Sequence, residues 1–283
     1  MNKTTFFAYA RRAPFGGRLS RAQVEGAEAI LDEAARRSLP DEYTAYILAT
    51  AFHETGGKMQ PLRENMNYTT AAQIKKTWPS RFPTIASAEP YVRQPQKLAN
   101  KVYGGRLGNT APNDGWIYRG DGQVQLTGKA HFKEFNVQPG MDLKTSVRVM
   151  FDGMLQGKFT GRKLYDYFGK GKEDPVGARR IVNGTDKAHL IAGYYRNFLD
   201  SLTAAREMKP AMAEEAKPDD VPLMEDRAVQ TIVAGTGGTL VTGLIGAVSN
   251  PWAFATVALL VVVAGAGFWL WKSGRLELKM VAA

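Results

Sequence analysis

Hydrophobic and polar positions divide the chain into three stretches. Over residues 1–206 apolar side chains recur every three or four positions, the spacing of one helix face. Ser20 followed by Gln23 reads as a capping box, opening a helix through Val24, Ala27, Ile30, Leu31, Ala34 and Ala35. Pro40 starts a second helix, with Asp41 and Glu42 in the first turn, where the helix dipole favours negative charge. It runs through Tyr43, Tyr46, Ile47, Thr50 and Ala51 to Glu54 and is stopped by Gly56-Gly57. The spacing predicts further helices over 70–77, 89–102, 144–158 and 187–205. Alternating, strand-like stretches are few and short, with 116–126 the best of them. The expected class is mainly α with a minor β element.

The pattern changes at residue 207. The segment 207–227 is acidic and holds Pro210, Pro218 and Pro222, a composition that buries little and is expected to stay extended or disordered as a linker. From Ala228 to Trp271 no residue is charged, 44 positions in all. Within it, 252–271 is apolar over roughly the 20 residues that cross a hydrocarbon core. Trp252, Trp269 and Trp271 stand where an interfacial belt would place them, and Lys272 and Arg275 follow. A transmembrane segment is expected here. The preceding 231–249 is richer in Gly and Thr, with small residues four apart at Gly235 and Thr239 and at Thr242 and Gly246. With Asn250-Pro251 as a turn, it makes either a second span of a hairpin or a Gly-rich linker to a single span.

Charge follows the same division. Of the formal +10, residues 1–206 hold 31 Lys and Arg against 19 Asp and Glu, while 207–283 hold 6 against 8. A basic body suits a polyanionic partner or membrane surface. No run of five or six basic residues occurs and aromatics are not interleaved with Arg or Lys, so nucleic acid is not an expected partner. Cysteine is absent, which removes disulfides and thiolate metal sites. Residues 1–17 carry Lys3, Arg11 and Arg12 and no apolar core long enough for a secretory signal.

Glu54 is the most informative candidate for chemistry. It falls seven after Ile47 and four after Thr50, on the apolar side of its helix. Desolvation there and the negative end of the helix dipole both disfavour the ionised form, as a general acid requires. Glu64 lies ten residues on, beyond the glycine break, where a carboxylate can face the first across a cleft and activate water. Spacing alone leaves both open to plainer roles, a helix-terminal Glu and a partner for Arg63. Other chemistries are poorly supplied. His53-Glu54 lacks the second His of a zincin, since Gly57 stands there, and His131 and His189 are the other two histidines. No Gly-x-Ser-x-Gly elbow, dinucleotide fingerprint or P-loop is present.

Several blocks in order carry a resemblance: Ala51-Phe52-His53-Glu54-Thr55-Gly56-Gly57, Glu64-Asn65-Met66-Asn67-Tyr68, Ala99 to Asn109, Gly115 to Gly128, and Arg180-Ile181-Val182-Asn183-Gly184. Together, over roughly 40–200, they resemble glycoside hydrolase family 19, in its phage endolysin branch. The resemblance implies a lysozyme-like α-helical domain, no cofactor and no metal, and hydrolysis of β-1,4 links between amino sugars with inversion. It carries the general acid onto Glu54 and the general base onto Glu64. It places His53, Tyr118, Gln125, Thr127, His131 and Asn183 at substrate-binding positions, with Trp116 and Tyr118 able to offer ring faces to sugar. Thr127 also reads as a helix N-cap before Lys129. Two departures stand out: Asp121 replaces a basic or neutral residue, and His131 replaces Asn.

The expected organisation is therefore a catalytic domain over 1–206, a linker over 207–227 and a membrane-anchoring tail over 228–283. The expected substrate is the glycan strand of bacterial peptidoglycan. A chitinase, or a non-catalytic membrane-anchored glycan-binding or virion protein, are the other readings. The tail implies a lipid partner and a place at the host inner membrane. One span with Lys272, Arg275 and Lys279 inside would leave the body outside, and a hairpin would keep it in the cytoplasm.

Overall fold

The computed structural model describes residues 1–169 and 171–220. In chain order the helices are α1 (Lys3–Arg12), α2 (Arg21–Arg36), α3 (Asp41–Glu54), α4 (Ala71–Thr77), α5 (Ile85–Ala88), α6 (Pro95–Tyr103), α7 (Asp114–Ile117), α8 (Lys129–Glu134), α9 (Leu143–Gln156) and α10 (Ala188–Arg206). A two-residue hairpin, β1 (Phe168–Gly169) with β2 (Lys172–Glu173), is the sole sheet among the described residues. The mainly α expectation holds.

Local chemistry accounts for most boundaries. Ser20 accepts from Gln23 N while the Gln23 side chain accepts from Ser20 N at 2.7 Å, so the capping box opening α2 is complete. Gly56 and Gly57 adopt φ of 59° and 81°, ending α3 directly after Glu54. Asp142 caps α9, and Gly157 in the left-handed region closes it. Two expectations are corrected. The helix expected over 89–102 is a 3-10 turn, Glu89–Tyr91, and then α6, because Arg93 turns left-handed (φ 54°) and Pro95 suits only a first helical turn. The strand expected over 116–126 is α7 followed by a turn with one isolated bridge, Asp121 to Leu126. Left-handed Gly122 and Gln125 do not extend into a strand.

Helix α3 is the axis of the main core. Thr44 to Ala51 are buried without a break, and α3 packs on α10, where Tyr46 meets Tyr195 and Phe52 meets Tyr194 and Phe198. Phe52, Phe15 and Phe198 meet edge to face around its last turn, with centroids 5.3–6.0 Å apart. A second apolar cluster gathers Met66, Ile74, Phe82, Leu98, Ala99 and Val102 from α4 to α6. These residues form a small lobe over 65–113. Two separate cores allow a carboxylate to be held from either side of the loop joining them.

The body extends past residue 206. The part of the acidic segment among the described residues packs on α1: Arg11 donates to Asp219 at 2.9 Å and to the carbonyls of Glu215 and Lys217, and Asp219 accepts from Leu19 N at 2.7 Å. The compact unit runs from Met1 to Asp220. Up to that residue the expectation of an extended or disordered linker is corrected, because the acidic side chains and free carbonyls find basic partners on the body. Residues 221–227 of the linker and both expected spans, 231–249 and 252–271, lie outside the described residues. Among those that are described, no helix is long and apolar enough to cross a membrane.

Candidate active site

Glu54 closes α3 with its side chain largely covered, and its Oε1 accepts a 2.5 Å bond from Nη1 of Arg179. Arg179 sits in a 3-10 turn, Gly177–Ile181, is 4% exposed, and donates through Nε to the carbonyl of Asp186. The guanidinium is thus buried and held on two sides, by the Glu54 carboxyl and the Asp186 carbonyl. This cation is a partner of Glu54 that helical spacing did not reveal. Asn183 follows the same turn: its N–H donates to the carbonyl of Arg179 and its Oδ1 accepts from Gly184 N. His53, half-buried beside Glu54, has its imidazole pushed below the ordinary value by burial, opposed by the charge of Glu54 and reinforced by Arg179.

Glu64 is held by different chemistry. The Tyr103 hydroxyl lies 2.8 and 3.0 Å from its two oxygens, and Gly120 N donates to Oε2 at 3.1 Å. Its own backbone pairs with Gly120, N–H to carbonyl at 2.8 Å, and its carbonyl accepts from Arg119 Nε. Burial, then the charge of Glu64, pushes the Tyr103 phenol well above its usual range, so it remains a donor at every ordinary pH. The approach is tight: a Cβ on Gly120 would stand 2.6 Å from Gln125 Oε1 and 3.3 Å from Glu64 Oε2.

The turn after Gly120 carries three more expected residues in one hydrogen-bonded line. Gln125 donates to the carbonyls of Leu62 and Gly122, Thr127 Oγ1 donates to the Gln125 carbonyl at 2.8 Å, and His131 Nδ1 lies 2.7 Å from the Thr127 carbonyl. Thr127 is therefore not the N-cap of α8, whose cap position is Gly128. Tyr118 packs edge to face on Phe132, and its carbonyl accepts from Gly128 N. Trp116 has one ring face covered by the Arg119 guanidinium, 3.5 Å from the ring centroid, which removes that face as a sugar platform.

The eight expected residues thus fall into two groups. His53, Glu54 and Asn183 gather at Arg179, while Glu64, Gln125, Thr127 and His131 gather around the Gly120 turn with Tyr118. The chain between Glu54 and Glu64 ties the groups together. Thr55 Oγ1 accepts from Met59 N, the Met59 carbonyl accepts from buried Gln123 Nε2 at 2.7 Å, and Leu62 N reaches the Gly122 carbonyl. Arg179 and Tyr103 complete the groups and escape a reading by sequence motif. The available signals were the basic Arg179 inside the apolar frame of Ala178 and Ile181, and Tyr103 inside a family-like block. Asp121, the departure from the block pattern, is buried and paired with Arg63 Nη1 at 2.5 Å. Among the described residues no group of three or more His, Asp or Glu side chains converges as metal ligands would.

Comparison with known proteins adds one relative. A glycosyl hydrolase family 19 domain-containing protein of Haemophilus influenzae is 38% identical over 102 residues, which are 35% of this chain and 50% of the relative. The resemblance to glycoside hydrolase family 19 holds. No family model matches the chain. The chain spans about half the length of the curated relative it matches. The family 19 likeness and the mainly helical fold agree with each other.

Proposed function

We propose that this protein is a glycoside hydrolase of the endolysin type, cutting β-1,4 links between amino sugars in bacterial peptidoglycan with inversion. The observation that carries this reading is the contrast between two carboxylates on either side of one tied loop. Glu54 has a single cation at one oxygen, whereas Glu64 is braced by a phenol and a backbone N–H. Two carboxyls in different surroundings can divide acid and base work between them.

In the cycle, Glu54 enters protonated and gives its proton to the glycosidic oxygen as the bond to the anomeric carbon breaks. Glu64, ionised, takes a proton from the water that attacks that carbon on the opposite face. Arg179 stabilises the carboxylate that Glu54 becomes, and proton exchange with solvent resets both groups. Thr127 and Gln125 line the base side, where an amide oxygen and a carbonyl can orient the water and an acetamido group. The basic body draws the enzyme to an anionic wall. The 252–271 segment, with or without 231–249, tethers it to the host inner membrane until the wall is exposed.

The test is release of muropeptides and reducing ends from purified peptidoglycan, with chitin as a parallel substrate, comparing the parent with Glu54→Gln. Release lost in the variant supports Glu54 as the acid. Release that persists assigns the acid elsewhere, and cleavage of chitin alone makes the protein a chitinase.

A further inference from the structure

The small lobe has an unusual charge balance. Residues 65–113 contain Lys75, Lys76, Arg81, Arg93, Lys97, Lys101 and Arg106 against a single acid, Glu89. None of the seven forms an ion pair among the described residues, although the rest of the body pairs many of its cations. Unneutralised like charge on so small a body disfavours its folding, so an anionic partner would relieve it.

The same lobe carries an open cavity of about 350 Å³ lined by Asn65, Asn67, Tyr68, Thr69, Gln73, Lys76 and Thr77. It begins at the residue after Glu64. No acidic side chain lines it, and two of its amide oxygens are already engaged inside the wall. Asn65 Oδ1 accepts from Asn67 N at 2.9 Å, and Gln73 Oε1 accepts from the Thr69 hydroxyl at 3.3 Å. The donors open to a ligand include the amide NH₂ of Asn65 and Gln73 and, as the one charged group in the lining, the Lys76 ammonium. Tyr68, set edge to face on Trp78 at 5.1 Å, supplies a fixed ring in the wall. A donor-rich, cationic cavity with an aromatic wall fits an acidic sugar derivative better than a neutral one.

We propose that this cavity is a subsite for a carboxylate-bearing amino sugar, a muramyl unit whose lactyl group carries the stem peptide and its free acid, with Lys76 as the charge partner of that acid. This rests on the reading of the protein as a peptidoglycan hydrolase and names what would distinguish that substrate from chitin. Binding at Lys76 would fix which sugar of the strand lies beside Glu64.

Lys76 is exposed, so its replacement leaves the core intact. Binding of muramyl dipeptide and of neutral chitobiose to the full chain would be measured by titration calorimetry or NMR for the parent, Lys76→Gln, and Lys144→Gln as a charge control elsewhere on the body. An exposed charge-assisted contact predicts muramyl dipeptide binding weakened about 3- to 10-fold in Lys76→Gln, with chitobiose and the Lys144→Gln protein unchanged. Equal binding of the two saccharides by the parent, or the same loss in both lysine variants, overturns the subsite. So does Lys76-dependent binding of a DNA oligonucleotide or an anionic lipid vesicle without muramyl selectivity. Since the readout is binding, failure of the parent to cut peptidoglycan would count against the proposed function while leaving the cavity's preference decided separately.

Discussion

Arg179 and Glu54, 125 residues apart in sequence, meet in a 2.5 Å ion pair at the end of α3. The pair couples the helix that carries the candidate acid to the turn that carries Asn183. It also gives Glu54 a partner supplied by the tertiary fold rather than by its own helix.

That coupling predicts the outcome of removing the cation. In Arg179→Gln the carboxylate keeps a neutral donor but loses its charge partner, and the Asp186 carbonyl loses the Arg179 Nε donor. Breaking a buried pair from one side typically costs about 3 kcal/mol. We expect a lower urea midpoint and a larger fall in kcat than in substrate affinity, with Arg179→Lys retaining part of both. A variant with unchanged stability would show that the pair contributes little to the fold.

Tyr103→Phe tests the other carboxylate. The phenyl ring keeps the packing while Glu64 loses the hydroxyl and retains Gly120 N. Bonds to charged groups contribute about 1.5–3 kcal/mol, so kcat should fall roughly 10- to 100-fold with KM little changed. A purely structural tyrosine would show its loss in the melting temperature and not in kcat.

Gly120→Ala probes the same contact by crowding. Its added Cβ would push on Gln125 Oε1 at 2.6 Å and on Glu64 Cβ at 3.2 Å. Activity should drop more than stability, because both neighbours belong to the site. Gly193→Ala, where a Cβ meets nothing within 4 Å and the backbone is helical, serves as the comparison and leaves activity intact.

How much of this was legible in the sequence depends on how local the causes are. The capping box of Ser20 and Gln23, and the stop at Gly56-Gly57, act within four residues and were readable directly. The break at Arg93 depends on a backbone turn in which the Arg93 N–H reaches the Tyr68 carbonyl, a tertiary contact invisible to helical spacing. The acidic segment up to Asp220 looked like linker because composition does not reveal that α1 presents Arg11 and Arg12 to it. Within the site, Glu54 and Glu64 stood out by residue type. Arg179 and Tyr103 act across 125 and 39 residues, so periodicity held no trace of them.

Asp121 offers a test of the departure from the family-like block. It is nearly buried and accepts from Arg63 Nη1 and from Gly140 N. Asp121→Leu alone removes the charge partner of the Arg63 guanidinium, which keeps the Ile117 carbonyl, and strands the Gly140 N–H, whereas Asp121→Leu with Arg63→Met removes both charges and leaves Gly140 N and the Ile117 carbonyl without these partners. A double-mutant cycle in urea should return a coupling of about 1–2 kcal/mol. Additive single effects would mean that solvent already screens the pair.

The last prediction concerns acid stability. Burial holds the His53 imidazole below its ordinary value, with Glu54 and Asp186 pulling the other way and Arg179 and Lys187 reinforcing the shift. The unfolded chain, where a histidine titrates near 6.5, then binds the proton more readily than the folded one. Stability associated with neutral His53 is therefore present above about pH 6.5 and is lost as pH falls through the lower folded value. Substituting Gln removes the titration while keeping a polar side chain of similar reach. Urea midpoints for the parent and His53→Gln at pH 7.5 and pH 5 should show a smaller pH dependence in the variant. Identical pH dependences would place the acid sensitivity in the carboxylates, and a steeper one in the variant would mean that Glu54 and Asp186 outweigh burial at this position.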